Sequence, residues 1–145
     1  MFKRILIPVD GSPTSTAALQ YAIDMAKSFG AAITAVTFYD PYPIVGIGLE
    51  YAFADKQYLD AVKAESAKNI TMAKELIEAH GLQADTRVLE SDQIWRAILD
   101  LAETIKAELI VMGSHGRSGL EKLVMGSVTQ RVLQHTKLPV LVVRD

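Results

Sequence analysis

The residue types best suited to charged-ligand chemistry lie in Gly113-Ser114-His115-Gly116-Arg117-Ser118-Gly119, followed by Gly126-Ser127. An apolar run, Leu109-Ile110-Val111-Met112, precedes them, and helical spacing follows over 128–136. A strand, a glycine-rich loop and a helix start together present backbone N–H groups to an anion. Glycine lets the backbone approach that anion with no Cβ in between. The spacing reads G-x-x-G, nine residues, G-S. It is neither the P-loop, which needs G-K-[S/T], nor the dinucleotide pattern G-x-G-x-x-G. The chemistry it offers is that of a nucleotide phosphate site. The N–H groups of Gly113 and Gly116 line one side, and the hydroxyl and N–H of Ser127, at a helix N-terminus, line the other. Charge-assisted hydrogen bonds contribute roughly 1.5–3 kcal/mol each, so about four of them, less ordering costs, support affinity near the micromolar level, about 8 kcal/mol. A side chain at Gly113 or Gly116 is expected to fill phosphate space and leave the fold intact.

Blander readings compete with this one. Gly113, Gly116, Gly119 and Gly126 can serve as turns and a cap alone. Arg117 can steady a phosphate or stand solvated. His115 has no second histidine close to it in the sequence, and His80 and His135 fall near helix ends, so a histidine metal site is not expected.

The elements that must position the loop are readable in order. Ile5-Leu6-Ile7-Pro8-Val9 is apolar on both faces, as a central parallel strand covered by helices must be. Proline cannot donate to a ladder, which puts Pro8 at the carboxyl end of that strand. Asp10-Gly11-Ser12 turns the chain, with Ser12 as N-cap and Pro13 at the first helical position. Ala18, Ala22, Met25 and Phe29 give the helix its apolar stripe, and Gly30 ends it. A second strand spans 32–39. The segment 40–51 carries two prolines and two glycines yet is apolar, which suits a lid or a contact with another subunit better than a clean helix. A long helix covers 54–80, with Leu59, Val62, Ile70, Ala73 and Ile77 on one face and Gly81 beyond its end. A short strand at 83–89 follows. Ser91 or Asp92 then caps a helix with Ile94, Ile98, Leu101 and Ile105 on one face and Trp95 expected in the core. The last strand is Pro139-Val140-Leu141-Val142-Val143.

Five strands alternating with helices imply a parallel sheet with right-handed crossovers. Two strand orders meet the pattern, 3-2-1-4-5 and 2-1-3-4-5. In the first, the ligand crevice opens between strands one and four, where Asp10-Gly11-Ser12 and the glycine loop lie. Asp10 is placed there to bind a ribose hydroxyl or a phosphate-bound Mg²⁺, or to cap the turn.

Composition narrows the class. A chain of 145 residues, half of them hydrophobic, reads as one folded domain over 1–145. A net charge of −2 and the lack of any Lys/Arg cluster argue against nucleic acid. Cysteine is absent, which excludes disulfides and thiolate chemistry and fits a reducing compartment. The apolar run at the N-terminus is too short for a signal peptide, and no run is long enough to span a bilayer, so a cytoplasmic location is expected.

These residues resemble the universal stress protein family, specifically its ATP-binding branch. The resemblance covers the whole chain through Ile5-Leu6-Ile7-Pro8-Val9-Asp10-Gly11-Ser12, Met112-Gly113-Ser114-His115-Gly116-Arg117, Gly126-Ser127-Val128 and Pro139-Val140-Leu141-Val142-Val143. It implies a Rossmann-like α/β fold of the adenine nucleotide alpha hydrolase type, with order 3-2-1-4-5 and helices on both faces. It also implies ATP, with Mg²⁺ or Mn²⁺ near Asp10. Asp10 would serve the ribose or adenine side, and main-chain groups around Phe38 would meet the adenine. Gly113, Gly116, Gly126, Ser127 and Val128 would hold the phosphates and ribose, with Pro8, Met112 and Arg117 beside them. Family members dimerise through the last strand, and an apolar edge strand at 140–143 is a liability unless paired in this way, in a homodimer or a higher oligomer.

The function so implied is a cytoplasmic stress-response regulator whose nucleotide state alters its oligomer or its binding to a protein partner. No general base placed for water attack and no P-loop lysine are evident, so at most slow hydrolysis is expected. The alternative is a weak ATPase or an adenylate-forming enzyme of the related α/β group. Those enzymes carry a serine-glycine-glycine loop after the first strand, where this chain has Asp10-Gly11-Ser12-Pro13-Thr14.

Overall fold

The computed structural model describes residues 1–41, 49–116 and 125–144, and over 49–55 the backbone alone. In chain order the elements are β1 (Arg4–Pro8), α1 (Pro13–Phe29), β2 (Ala32–Tyr39), α2 (Leu49–Ala79), β3 (Ala84–Glu90), α3 (Ile94–Thr104), β4 (Leu109–Gly113), α4 (Ser127–His135) and β5 (Val140–Val143). Every strand pairing is parallel, in the order β3-β2-β1-β4-β5. The order reverses between β1 and β4, so the crevice at their carboxyl ends falls where the 3-2-1-4-5 arrangement puts it.

Strand periodicity decides which helix covers which face. Successive side chains of a strand point to opposite sides. Ile5, Ile7 and Val9 of β1 and its continuation therefore join Ile33 and Ala35 of β2 and Leu109 and Val111 of β4 on one side, under α1 and α2. Leu6, Val36, Ile110 and Met112 form the other side, under α3 and α4. Ile7, Ile23, Ile33, Ile77, Ile110 and Val132 are fully buried, and burial of each such side chain contributes roughly 1.5–3 kcal/mol. No helix among the described residues is long and apolar enough to cross a membrane.

Local signals account for most element ends. Pro8 is the last residue of β1, paired with Val36. Ser12 caps α1 by accepting the Ser15 N–H, Pro13 opens the helix, and Gly30 closes it in the left-handed region at φ 66°. Several expectations change. The stripe of α1 is Ala18, Leu19, Ala22, Ile23 and Ala26, whereas Phe29 is 40% exposed and meets Phe2 edge-on at 5.7 Å. Met25 still packs against the core from the side, and Phe29 belongs to the last turn of α1, beyond the buried stretch. Helix α2 begins at Leu49 rather than at 54, since the last glycine of the preceding segment is Gly48. Neither Ser91 nor Asp92 caps α3. Gln93 occupies that position without a side-chain bond, and Ser91 Oγ accepts the Gln93 N–H at 3.0 Å in a turn just before it. Trp95 sits at the margin of the α3–α4 core, its ring stacked on His135 with centroids 4.5 Å apart. Residues 42–48 of the segment read as a lid or interface lie outside the described residues.

Candidate functional site

The turn after β1 is held by its own side chains. Asp10 Oδ1 accepts the Ser12 N–H at 2.9 Å, the Asp10 N–H donates to Ser15 Oγ at 3.0 Å, and Ser12 Oγ accepts the Ser15 N–H at 3.2 Å. Short aspartate and serine side chains favour such local bonds, which is why they sit at turns and caps. One carboxylate oxygen of Asp10 thus caps the turn. The other faces Gly116 across the crevice, where a Cβ at residue 116 would lie 2.5 Å from Asp10 Oδ2. Gly11, at φ 82°, adopts a conformation that side chains other than glycine rarely take.

On the other side, β4 delivers the glycine loop. Gly113 falls on the α1 face, in alternation with Leu109 and Val111. A Cβ there would meet Thr14 Cγ2 at 2.9 Å and the Thr14 backbone at 3.2 Å. This glycine is therefore required by close approach of the α1 N-terminus, and the expectation that a side chain at 113 would only fill phosphate space is corrected. Gly126 is similarly confined, with a Cβ 3.1 Å from His115 Cα, and its N–H already donates to the Ser114 carbonyl at 2.7 Å. Gly126 caps α4, and Ser127 is the first helical residue. The first-turn amides of Ser127, Val128 and Thr129 lack intrahelical acceptors by geometry, which leaves this helix end suited to an anion.

Two contacts lock the loop to its surroundings. His115 Nε2 lies 3.2 Å from Oγ1 of the fully buried Thr14, and Thr129 Oγ1 donates to the Gly113 carbonyl at 2.8 Å. Thr129→Val keeps the shape and removes that donor. It is expected to cost about 1–2 kcal/mol in urea unfolding, the range for a buried acceptor losing its partner. Stability equal to wild type would show that the bond does not hold α4 to β4.

One crevice of about 940 Å³ collects these groups. Pro8, Asp10, Phe38, Met112, Gly113, Gly116, Gly126, Ser127 and Val128 all line it. Arg117, the remaining candidate, lies outside the described residues. The pattern of glycines and strand ends did not point to α2, which supplies a further wall through Tyr58, Val62, Glu65, Ser66 and Asn69. Ile94 and Ile98 of α3 close the apolar end, and His115, Thr129 and Ser15 also reach the space. A signal for α2 existed: Ser66 and Asn69 interrupt, with polar groups, the stripe that continues into buried Ala73 and Ile77. Among the described residues, no group of three or more His, Asp or Glu side chains is placed to hold a metal ion.

The fold and this site define an α/β protein of the doubly wound class, with a crevice where the strand order turns. Within that class the chain belongs to the universal stress protein family, whose sequence model matches residues 1–144. Universal stress protein MJ0531 of Methanocaldococcus jannaschii is 37% identical over 144 residues, 99% of this chain and 83% of that protein. Among solved structures, the universal stress protein UspA from Lactobacillus plantarum superposes with a TM-score of 0.84 at 24% identity, covering 98% of this chain and 97% of its own. A universal stress protein in complex with cAMP gives a TM-score of 0.69 at 24% identity, with 99% of this chain and 97% of that one covered.

Proposed function

We propose that this protein, as one universal stress protein domain over residues 1–145, binds ATP and acts as a cytoplasmic regulator in the response to stress. The observation that carries the reading is the convergence of Asp10, Phe38, Gly116 and the first turn of α4 on one crevice. The sequence separates these residues by as much as 118 positions (residues 10 to 128), and a shared ligand accounts for their meeting. A relative of the same fold solved with cAMP supports an adenine nucleotide as the ligand class. In this reading the base lies against Phe38, Ile94 and Ile98, the phosphates meet Gly116 and the N-terminus of α4, and Arg117 steadies them. A Mg²⁺ or Mn²⁺ ion would be held mainly by the phosphates, with Asp10 as the nearby carboxylate. Nucleotide occupancy would alter oligomer or partner binding, with β5 as the dimer strand. That strand is apolar, stands at the sheet edge and leaves Val140, Leu141 and Val142 only partly buried.

A second reading, slow ATP hydrolysis or an adenylate-forming reaction, is favoured by one feature. The carboxylates of Asp10, Asp40 and Glu65 and the imidazole of His115 all line the crevice. Multiple turnover of ATP to phosphate or pyrophosphate would establish it.

The test of the leading reading is to denature the purified protein and identify any nucleotide released, then to heat it with added Mg-ATP. A ligand at about 100 times its Kd stabilises by about 2.7 kcal/mol, a rise of several degrees in Tm for a chain of this size. Release of an adenine nucleotide, or that rise, is expected. Absence of both would sink the proposal.

A further inference from the structure

The α2 wall holds a side chain whose chemistry the rest of the crevice does not explain. Asn69 is half-buried and lines the crevice, and its amide lies flat on Gly11, with Oδ1 2.5 Å and Cγ 3.0 Å from where a Cβ at 11 would stand. A primary amide carries two donors and an acceptor. Among the described residues none forms a hydrogen bond with this amide, although Asn69 sits one and two turns before Ala73 and Ile77 on the buried face of α2. A polar group set against the backbone at a ligand crevice, with no protein partner among the described residues, keeps its donors and acceptor open to a ligand.

Topology says which part of the ligand. Across the sheet the strand ends run β2, β1, β4, spaced roughly 5 Å apart. The apolar slot at Phe38 belongs to β2, and the anion-binding loop and helix end belong to β4 and α4. Between them, over β1, lies the Asp10–Gly11 turn on which Asn69 rests. A nucleotide bridging slot and loop sets its ribose over β1.

We infer that Asn69 reads the ribose hydroxyls and makes the site selective for ribonucleotides over deoxyribonucleotides. The inference rests on the proposed nucleotide reading. A site built to bond a hydroxyl rejects the analogue lacking it, because the protein group is left unpaired. Titration calorimetry of wild type and Asn69→Ala with Mg-ATP, Mg-2′-deoxy-ATP and Mg-3′-deoxy-ATP tests it, with Tm of the free proteins as the control for folding. Wild type is expected to favour ATP over at least one deoxy form by about tenfold, the size of one lost hydrogen bond. In Asn69→Ala that ratio is expected to fall to near one while Tm stays within a few degrees. A wild type that binds all three equally overturns the inference, as does an Asn69→Ala variant that keeps the wild-type ratio. Failure of wild type to bind any of the three overturns the nucleotide reading itself, and this one with it.

Discussion

Gly113→Val is expected to destabilise the protein by about 3 kcal/mol, the upper part of the usual range for overpacking a filled interior. The reason is its address in the sheet. Residue 113 closes β4 on the face covered by α1, and the first turn of α1 approaches so closely that even a Cβ would stand 2.9 Å from Thr14 Cγ2 and 3.3 Å from the Ser15 nitrogen. Thr14 is fully buried, and Ser15 is part of the bonded turn that fixes Asp10. Neither can retreat without disturbing the cap of α1. Urea unfolding should therefore show a lower midpoint with little change in slope. Ligand binding would weaken as a consequence of that damage. Wild-type stability in this variant, with binding alone lost, would mean that residue 113 faces the crevice and not the helix.

Gly116→Val is expected to do the opposite. Its side chain would enter the crevice and collide with Asp10 Oδ2, which lies 2.5 Å from the Cβ position. The Asp10 backbone is held by Ser15, so the carboxylate must swing away, and the added methyl groups occupy the space between it and the loop. Affinity for Mg-ATP should fall at least about 100-fold, about 2.7 kcal/mol, measured by calorimetry. Folding stability should fall by no more than about 1.5 kcal/mol, the net worth of the Asp10–Ser12 hydrogen bond that the displaced carboxylate gives up, since among the described residues a Cβ at 116 meets only Asp10 within 4 Å. A variant that binds ATP like wild type would place the phosphates elsewhere. Measured side by side, the two glycine variants separate a structural requirement from a binding one within a single G-x-x-G.

That contrast marks the boundary of what local pattern can convey. The spacing of glycines reports where the backbone must come close to something, but it does not report to what. For Gly116 the neighbour is a crevice carboxylate; for Gly113 it is a helix about 100 residues earlier in the chain; for Gly126 it is the backbone of His115. The same limit applies to donors. Gly126 looks like a phosphate ligand by its place before Ser127, yet its N–H is already bonded to the Ser114 carbonyl, and the open donors begin one residue later. Thr129 carries no signature beyond an unremarkable helical position, although its hydroxyl ties α4 to the end of β4.

The sequence by itself determined the elements and their order, because those follow from short-range physics. Apolar runs with period two or 3.6, the Ser12-Pro13 cap and the stop at Gly30 act within a few residues of one another. Alternation of strands and helices then led to the parallel sheet but left two strand orders open, and the observed order sets the reversal, and with it the crevice, next to Asp10 and Gly113. Only the tertiary structure decided what the walls are made of. Which helix covers a face, how closely it approaches and which of its side chains looks into the crevice depend on contacts between distant segments. Asn69 is the clearest case: in the chain it is one polar residue on an amphipathic helix, and in the fold it lies against Gly11 at the edge of the site.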